Sequence, residues 1–312
     1  MLTPATPHDV VCVGETMAVL SPPDARPLAG QKKLALTVGG AESNVACSLA
    51  ALGHRVAWLS RVGADPLGRR ILDDLTARGV DVSAVETDPE RPTGVYFKDP
   101  GPDLTRTYYY RRESAATAMG PELSRLPLLR TARLLHLSGI TAALSDTCAD
   151  LMDVLIARRA APGPLISFDV NHRPALWRHR PADAAPMLRR LARAADIVFV
   201  GRDEAEALWG TGQAAEVREL LRPAGVVVVK DAGHGATAYT EGGENGEDGK
   251  DGKETFVPAP PSRVVERVGA GDAFAAGYLS AAVLEGLGVA EGLRRGHRLA
   301  AAALATRDDV PA

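Results

Sequence analysis

The sequence predicts an α/β fold: a mainly parallel central sheet flanked by helices. Two observations carry the prediction. Short apolar, β-branched runs alternate with longer Ala/Leu-rich amphipathic stretches along the whole 312-residue chain, as expected for repeated βαβ units with strands buried on both faces. An apolar content of 46% is enough to fill the core of such a sheet.

Taken in order, the strand candidates are residues 10–13 (VVCV), 56–60, 134–138, 165–169, 197–200 and 226–230. Each is a short apolar run bounded by turn-forming or charged residues. Residues 41–52, 67–78, 145–159 and 182–194 carry apolar side chains at helical spacing. Two stretches interrupt this rhythm. Residues 17–38 alternate in polarity and contain prolines, and residues 93–110 place Val95-Tyr96-Phe97 and Thr107-Tyr108-Tyr109-Tyr110 on either side of Asp99-Pro100-Gly101-Pro102, a hairpin pattern. Both are expected to form strands outside the main sheet, either as a lid over its carboxyl edge or as plain surface hairpins. The expected organisation is one domain over 1–312, with lid strands inserted at about 15–38 and 92–112. The run 241–254 (EGGENGEDGKDGKE) reads as a solvated acidic, Gly-rich loop.

Charge and composition exclude several functions. Lys and Arg total 36 against 39 Asp and Glu, a net charge of −3, so no basic field awaits a nucleic-acid backbone. The longest apolar run, 299–305, is seven residues, and MLTPATPHD lacks a charged-then-apolar leader; no membrane partner is expected. Cys12, Cys47 and Cys148 have neither disulfide-framework nor zinc spacing. They read as small core residues of a cytoplasmic protein. Val13-Gly14-Glu15 lacks the G-x-G-x-x-G pattern that a nicotinamide site needs. His136 and His172 read as hydrogen-bonded structural histidines. One oddity remains: with only three Trp, six Tyr and five Phe in the chain, three tyrosines stand together at 108–110.

The run 264–279 (VVERVGAGDAFAAGYL) is the most informative about chemistry. A Gly-Ala-Gly turn opens an apolar helix, so the N–H groups of Gly269, Ala270 and Gly271 would point outward without intrahelical acceptors, which makes an anion hole. Asp272, in the first turn, could take the proton of a hydroxyl attacking phosphorus. It could equally be a simple helix cap. A second run, 37–49 (TVGGAESNVACSL), places paired glycines before a helix with Glu42, Ser43 and Asn44 offering groups suited to sugar hydroxyls.

GGAESNVA and VGAGDAF, about 220 residues apart and in that order, closely resemble the two signatures of the PfkB/ribokinase family of carbohydrate kinases. The resemblance continues through VGADPLG, DEAEALWG and VVVKDAGHGA. In YYYR, HLSGITAALS and DVNHRPALW it is greatest to the 2-keto-3-deoxygluconate kinases of that family. It implies a ribokinase-like three-layer fold with a small β-sheet lid, and ATP-dependent phosphorylation of the C6 hydroxyl of 2-keto-3-deoxygluconate. Carried over by position, it makes Asp272 the catalytic base and Gly269, Ala270 and Gly271 the anion hole. Substrate contacts would come from Gly40, Ala41, Glu42, Ser43 and Asn44, with Tyr96, Tyr109, Tyr110 and Arg111 on the lid. Nucleotide contacts would come from Asn171, Arg173, Lys230, Asp231, Gly233 and Gly235, together with Gly269 and Gly271. Glu204 would help hold Mg²⁺.

The sequence departs from the family pattern at two positions. Gly201 stands where the family's Asn-x-x-Glu motif has asparagine, and Glu266 where an aspartate helps bind a monovalent cation such as K⁺, which counts against potassium activation. The terminal RDDVPA is also short, which would reduce contacts around the adenine.

A sugar acid brings a carboxylate that a planar arginine flanked by phenols can bind. Strand alternation sends Tyr109 and Arg111 to one face and Tyr108 and Tyr110 to the other, which makes Tyr109 with Arg111 the preferred pair; an aromatic hairpin with a solvated arginine is the competing reading. Within the family, fructokinase, ribokinase and keto-deoxygalactonate kinase are the alternatives; outside it, a catalytically silent sugar-acid sensor is. Relatives often pair through lid strands, so a homodimer is expected.

Overall fold

The computed structural model describes residues 7–24, 26–101, 105–241 and 252–306. Pro102, residues 242–251 of the acidic run and the terminal RDDVPA lie outside these.

The strands are β1 (Val10–Val13), β2 (Met17–Ser21), β3 (Ala35–Gly39), β4 (Val56–Leu59), β5 (Arg61–Gly63), β6 (Val80–Asp81), β7 (Glu86–Asp88), β8 (Val95–Asp99), β9 (Arg106–Tyr110), β10 (Leu134–Ser138), β11 (Leu165–Asp169), β12 (Ile197–Gly201), β13 (Val226–Asp231), β14 (Gly235–Thr240) and β15 (Lys253–Pro258). The helices are α1 (Ala41–Ala51), α2 (Pro66–Ala77), α3 (Leu128–Thr131), α4 (Gly139–Leu144), α5 (Asp146–Met152), α6 (Pro181–Ala194), α7 (Arg202–Trp209), α8 (Ala214–Leu221), α9 (Ala270–Tyr278) and α10 (Val289–Leu304).

Nine strands form the main sheet in the order β15-β14-β13-β12-β11-β10-β1-β4-β6. From β6 to β13 all neighbours are parallel; β14 and β15 close the sheet antiparallel. All six apolar runs read as strands belong to this sheet. Their residues alternate between two cores. Val11 and Val13 join Leu135, Leu137, Ile166, Phe168 and the helices α4 to α6 and α8 on one face. Val10 and Cys12 join Trp58, Phe199 and α1, α2, α9 and α10 on the other. A strand apolar at every position is therefore buried on both sides, which is why no polar-apolar alternation marks it. The three cysteines are free and buried.

Helix boundaries follow local chemistry. Asp65 caps α2, its carboxylate accepting the Gly68 N–H at 2.8 Å ahead of Pro66 in the first turn. The stretch 145–159, expected as one helix, is α5 followed by a wider π-helical turn over Asp153–Ala157. No described helix is long and apolar enough to cross a membrane.

Both interrupting stretches become strands of a separate sheet ordered β3-β2-β8-β9. β8 and β9 pair antiparallel as the hairpin pattern predicts, with Tyr96 opposite Tyr109 and Phe97 opposite Tyr108. The pairing of β2 with β8 is parallel, so the two excursions interlock and each needs the other to complete the sheet.

α9 and α10 approach so closely that a Cβ on Gly277 would stand 2.7 Å from the Arg295 carbonyl oxygen and 2.8 Å from the Gly296 Cα. Backbone cannot yield as a flexible side chain does. Gly277→Ala is expected to cost about 1–3 kcal/mol by overpacking and to lower the thermal midpoint by several degrees; an unchanged melting curve would contradict the packing described.

Candidate active site

β1 has β4 on one side and β10 on the other, so successive connections run in opposite directions from it and leave a crevice at the carboxyl edge. A cavity of about 1840 Å³ occupies that edge and extends beneath the small sheet.

The floor is built by the start of α9. Gly269 is its N-cap, with φ of 83°, a left-handed conformation that glycine adopts at little cost. Its carbonyl accepts the Ala273 N–H at 2.9 Å, while the amides of Ala270, Gly271 and Asp272 have no partner within the helix. Asp272 is buried, and its Oδ2 accepts from Asn44 Nδ2 at 2.8 Å. Burial raises its pKa to about 7; the Asn44 hydrogen bond opposes that rise, the charge of Asp169 adds to it, and Arg173 and Lys230 oppose it.

Lys230 extends from β13 to donate to Asp169 Oδ2 at 2.8 Å, with its ammonium 3.5 Å from where a Gly271 side chain would begin. Burial disfavours the ammonium, but Asp169 and Glu204 outweigh that and hold its pKa up. Asp169 also accepts the Asn171 N–H at 3.1 Å. Glu204, in the first turn of α7, accepts the Gly201 N–H at 2.9 Å and faces Arg173 at 3.4 Å; burial raises its pKa against the pull of Lys230. Two carboxylates and a lysine on three adjacent strand ends thus compensate one another around the helix start.

The wall beneath the small sheet holds the tyrosine cluster. The Arg111 guanidinium lies over the Tyr109 ring, 5.5 Å from its centroid, and Tyr96 packs on Tyr109 with centroids also 5.5 Å apart. Tyr110 packs edge-on against Phe97 instead, so alternation separates the tyrosines as expected. Arg111 is not a solvated arginine: it is buried and ion-paired with the fully buried Glu15, which also accepts from Ser114 Oγ at 2.7 Å.

Of the residues singled out in the sequence, Gly40, Ala41, Asn44, Tyr96, Tyr109, Tyr110, Arg111, Asn171, Arg173, Glu204, Lys230, Gly269, Gly271 and Asp272 line this one cavity. Others do not. Glu42 is turned into the interior, where it accepts from Ser138 Oγ and Thr141 Oγ1 at 2.7 Å each, and Ser43 Oγ donates to the Gly40 carbonyl. Neither side chain lines the cavity, because consecutive helical residues point in different directions and these two face the core. Ala270 contributes only its backbone. Asp231 pairs with Arg202 at 3.3 Å, outside the cavity. Gly235 opens β14 beneath Phe256 and the Val257 carbonyl, so its small size serves strand packing, and Gly233 lies in open space beside it. His136 is a structural histidine: Nδ1 lies 3.0 Å from Ser167 Oγ, and burial lowers its pKa to about 4.

Sequence reading missed Glu15, Asp169, Asp203, Arg178 and Arg267, all in the cavity wall. For Glu15 and Asp169 a signal existed: each is a carboxylate at or just past the carboxyl end of a short, mostly apolar strand, where a parallel sheet keeps its ligand crevice.

The family model for pfkB family carbohydrate kinases matches residues 7–310. A 2-dehydro-3-deoxygluconokinase of Bacillus subtilis (strain 168) is 35% identical over 300 residues, covering 94% of this chain and 88% of that protein. A 2-dehydro-3-deoxygalactonokinase of Haloferax volcanii is 32% identical over 286 residues, covering 87% and 83%. The crystal structure of a PfkB protein from Polaromonas sp. superposes with a TM-score of 0.83 at 36% identity, covering 95% of each chain. With the two signature runs meeting at one carboxylate and one helix start, and the family match spanning nearly every residue, the chain belongs to the pfkB family of carbohydrate kinases.

Proposed function

We propose that the protein transfers the γ-phosphoryl group of ATP to the C6 hydroxyl of 2-keto-3-deoxygluconate, also called 2-dehydro-3-deoxygluconate, giving the 6-phosphate and ADP. The observation that carries this reading is Asp272, a buried carboxylate in the first turn of the helix whose free amides face the same cavity. Asp272 takes the proton of the C6 hydroxyl while that oxygen bonds to the γ-phosphorus and the bond to the ADP oxygen breaks. The amides at Gly269 to Gly271, with Lys230 beside them, meet the charge on the phosphoryl oxygens. The small sheet closes over the sugar as a lid and keeps water from the nucleotide.

Mg²⁺ fits the donor set: Glu204 is a carboxylate at the cavity wall, and Asn171 nearby has a buried Oδ1 without a hydrogen-bond partner. When bound there, Mg²⁺ would neutralise phosphate charge, held by Glu204 through water. A K⁺ site does not fit. Glu266 folds its carboxylate onto the amides of Arg267 and Val268 at 2.8 and 3.4 Å, which turns it away from a cation.

The names of the Bacillus and Haloferax relatives support a keto-deoxy sugar acid as substrate. Tyr96, Tyr109 and Arg111 offer the carboxylate two phenols and a guanidinium. Because Glu15 balances the Arg111 charge, the arginine acts as a fixed hydrogen-bond fork more than as a free cation. The Haloferax relative favours a second reading, the galacto epimer, which differs only in the orientation of one hydroxyl. We place the enzyme in the cytoplasm, where free thiols persist, and expect a homodimer through the exposed β9 edge of the small sheet.

A coupled ADP-release assay over candidate sugars tests the substrate: turnover on fructose or ribose with none on either keto acid would overturn the assignment. The base must be ionised to act, so kcat should rise with pH through about 7, falling roughly tenfold per unit below it; a flat profile between pH 5 and 8 would exclude Asp272. Asp272→Asn should lower kcat by about 10²–10⁴-fold while sugar-acid binding survives. Arg111→Ala should raise KM for the keto acid about 10-fold or more and KM for ATP far less. Equal effects on both would remove Arg111 from carboxylate recognition.

A further inference from the structure

Asn44 and Asp272 are 228 residues apart in sequence, and the bond between them is the direct side-chain link between the two signature runs. Each sits in the first turn of its helix, and α1 packs on α9. Asn44 is itself held firmly. Its backbone N–H donates to the Gly40 carbonyl at 2.8 Å, and two residues earlier Glu42 clamps the same turn to Ser138 and Thr141. The buried Glu42 carboxylate thus anchors the turn from which Asn44 projects.

A carboxylate offers its proton acceptor in one direction only when its other oxygen is tied. Asn44 Nδ2 ties Oδ2 of Asp272 at 2.8 Å. We propose that Asn44 is a positioning residue for the base, binding one carboxylate oxygen of Asp272 so that the other faces the acceptor hydroxyl. This rests on the kinase reading above.

The bond also acts on the proton. Several charged groups face Asp272: Asp169 from β11 disfavours its ionised form, while Arg173 from the following loop and Lys230 from β13 favour it. From α10, His297 packs edge-on against Phe274, in the next turn of α9. Asn44 is the neutral donor in this set, and a hydrogen bond to the ionised form lowers a pKa without adding charge. Removing it takes away support for the ionised base and leaves the burial and the Asp169 charge in place.

The test uses Asn44→Leu, which keeps the γ-branched shape and deletes the donor, and Asn44→Ser, a smaller side chain at the same buried spot. Loss of a hydrogen bond to a charged group should move the acid limb of the kcat–pH profile of Asn44→Leu upward by about one pH unit, with kcat falling about fivefold at pH 7 and roughly tenfold at pH 6, and recovering near pH 9. KM for the sugar acid should change less than kcat, and Asn44→Ser should shift in the same direction. An unmoved acid limb, whether or not KM rises, would overturn the proposal and leave Asn44 as a sugar contact or a packing residue. If the leucine variant fails to fold by circular dichroism, the serine variant decides. A ¹³C titration of the Asp272 carboxyl, assigned by its loss in Asp272→Asn, reads the same shift in substrate-free protein. Absence of turnover in the wild type with every sugar tried would count against the kinase reading alone, while an unshifted carboxyl titration would count against Asn44 alone.

Discussion

Buried charges at one sheet edge must compensate one another, and the rest of the site depends on how they do so. Asp169, Glu204 and Asp272 bring three carboxyl groups to neighbouring elements, and Lys230 and Arg173 bring two cations. A buried carboxylate stays ionised in such a setting only with partners. Lys230 is held charged by Asp169 and Glu204, and in turn stands beside Gly271, where phosphate charge would arrive. Asp272 is the carboxyl that burial pushes to about 7, against the pull of Asn44, Arg173 and Lys230. Asp169 and Glu204 face the cations of this cluster, while Asp272 is tied to the neutral Asn44 amide.

The small sheet is organised by a second compensation. Glu15, just past the end of β1, reaches under the sheet to Arg111, just past the end of β9. That ion pair joins the main body to the sheet above it and orients the guanidinium under Tyr109. The tyrosine cluster, unexplained by any core, has its rings divided between two tasks: Tyr109 stacks with Tyr96 and Arg111 over the cavity, while Tyr110 packs on Phe97 with most of its surface exposed. Binding chemistry and lid architecture share residues here, so a change at Arg111 alters both.

The two signature runs differ in how openly they show their roles. Around Asp272 a local rule suffices: a left-handed glycine, free amides and a first-turn carboxylate follow from seven consecutive residues. In GGAESN the polarity of Glu42 and Ser43 suggests a ligand, but the helix turns both side chains toward the core, where Ser138 and Thr141 donate to the Glu42 carboxylate. After β13, Gly235 is pressed by Phe256 and the Val257 carbonyl, while Gly233 has open space around it.

By itself, the sequence determined the elements whose cause is local. The six buried parallel strands, the amphipathic helices, the β8–β9 hairpin and the helix start at Gly269 all arise from periodicity, capping and turn chemistry acting within a few residues. Tertiary structure decided what depends on distant partners. The parallel joining of β2 to β8, the bond from Asn44 to Asp272, the Glu15–Arg111 pair and the Asp169–Lys230 pair each connect segments that no local rule relates. Charge compensation in a low-dielectric interior depends on which side chains meet, and only the folded chain brings them together.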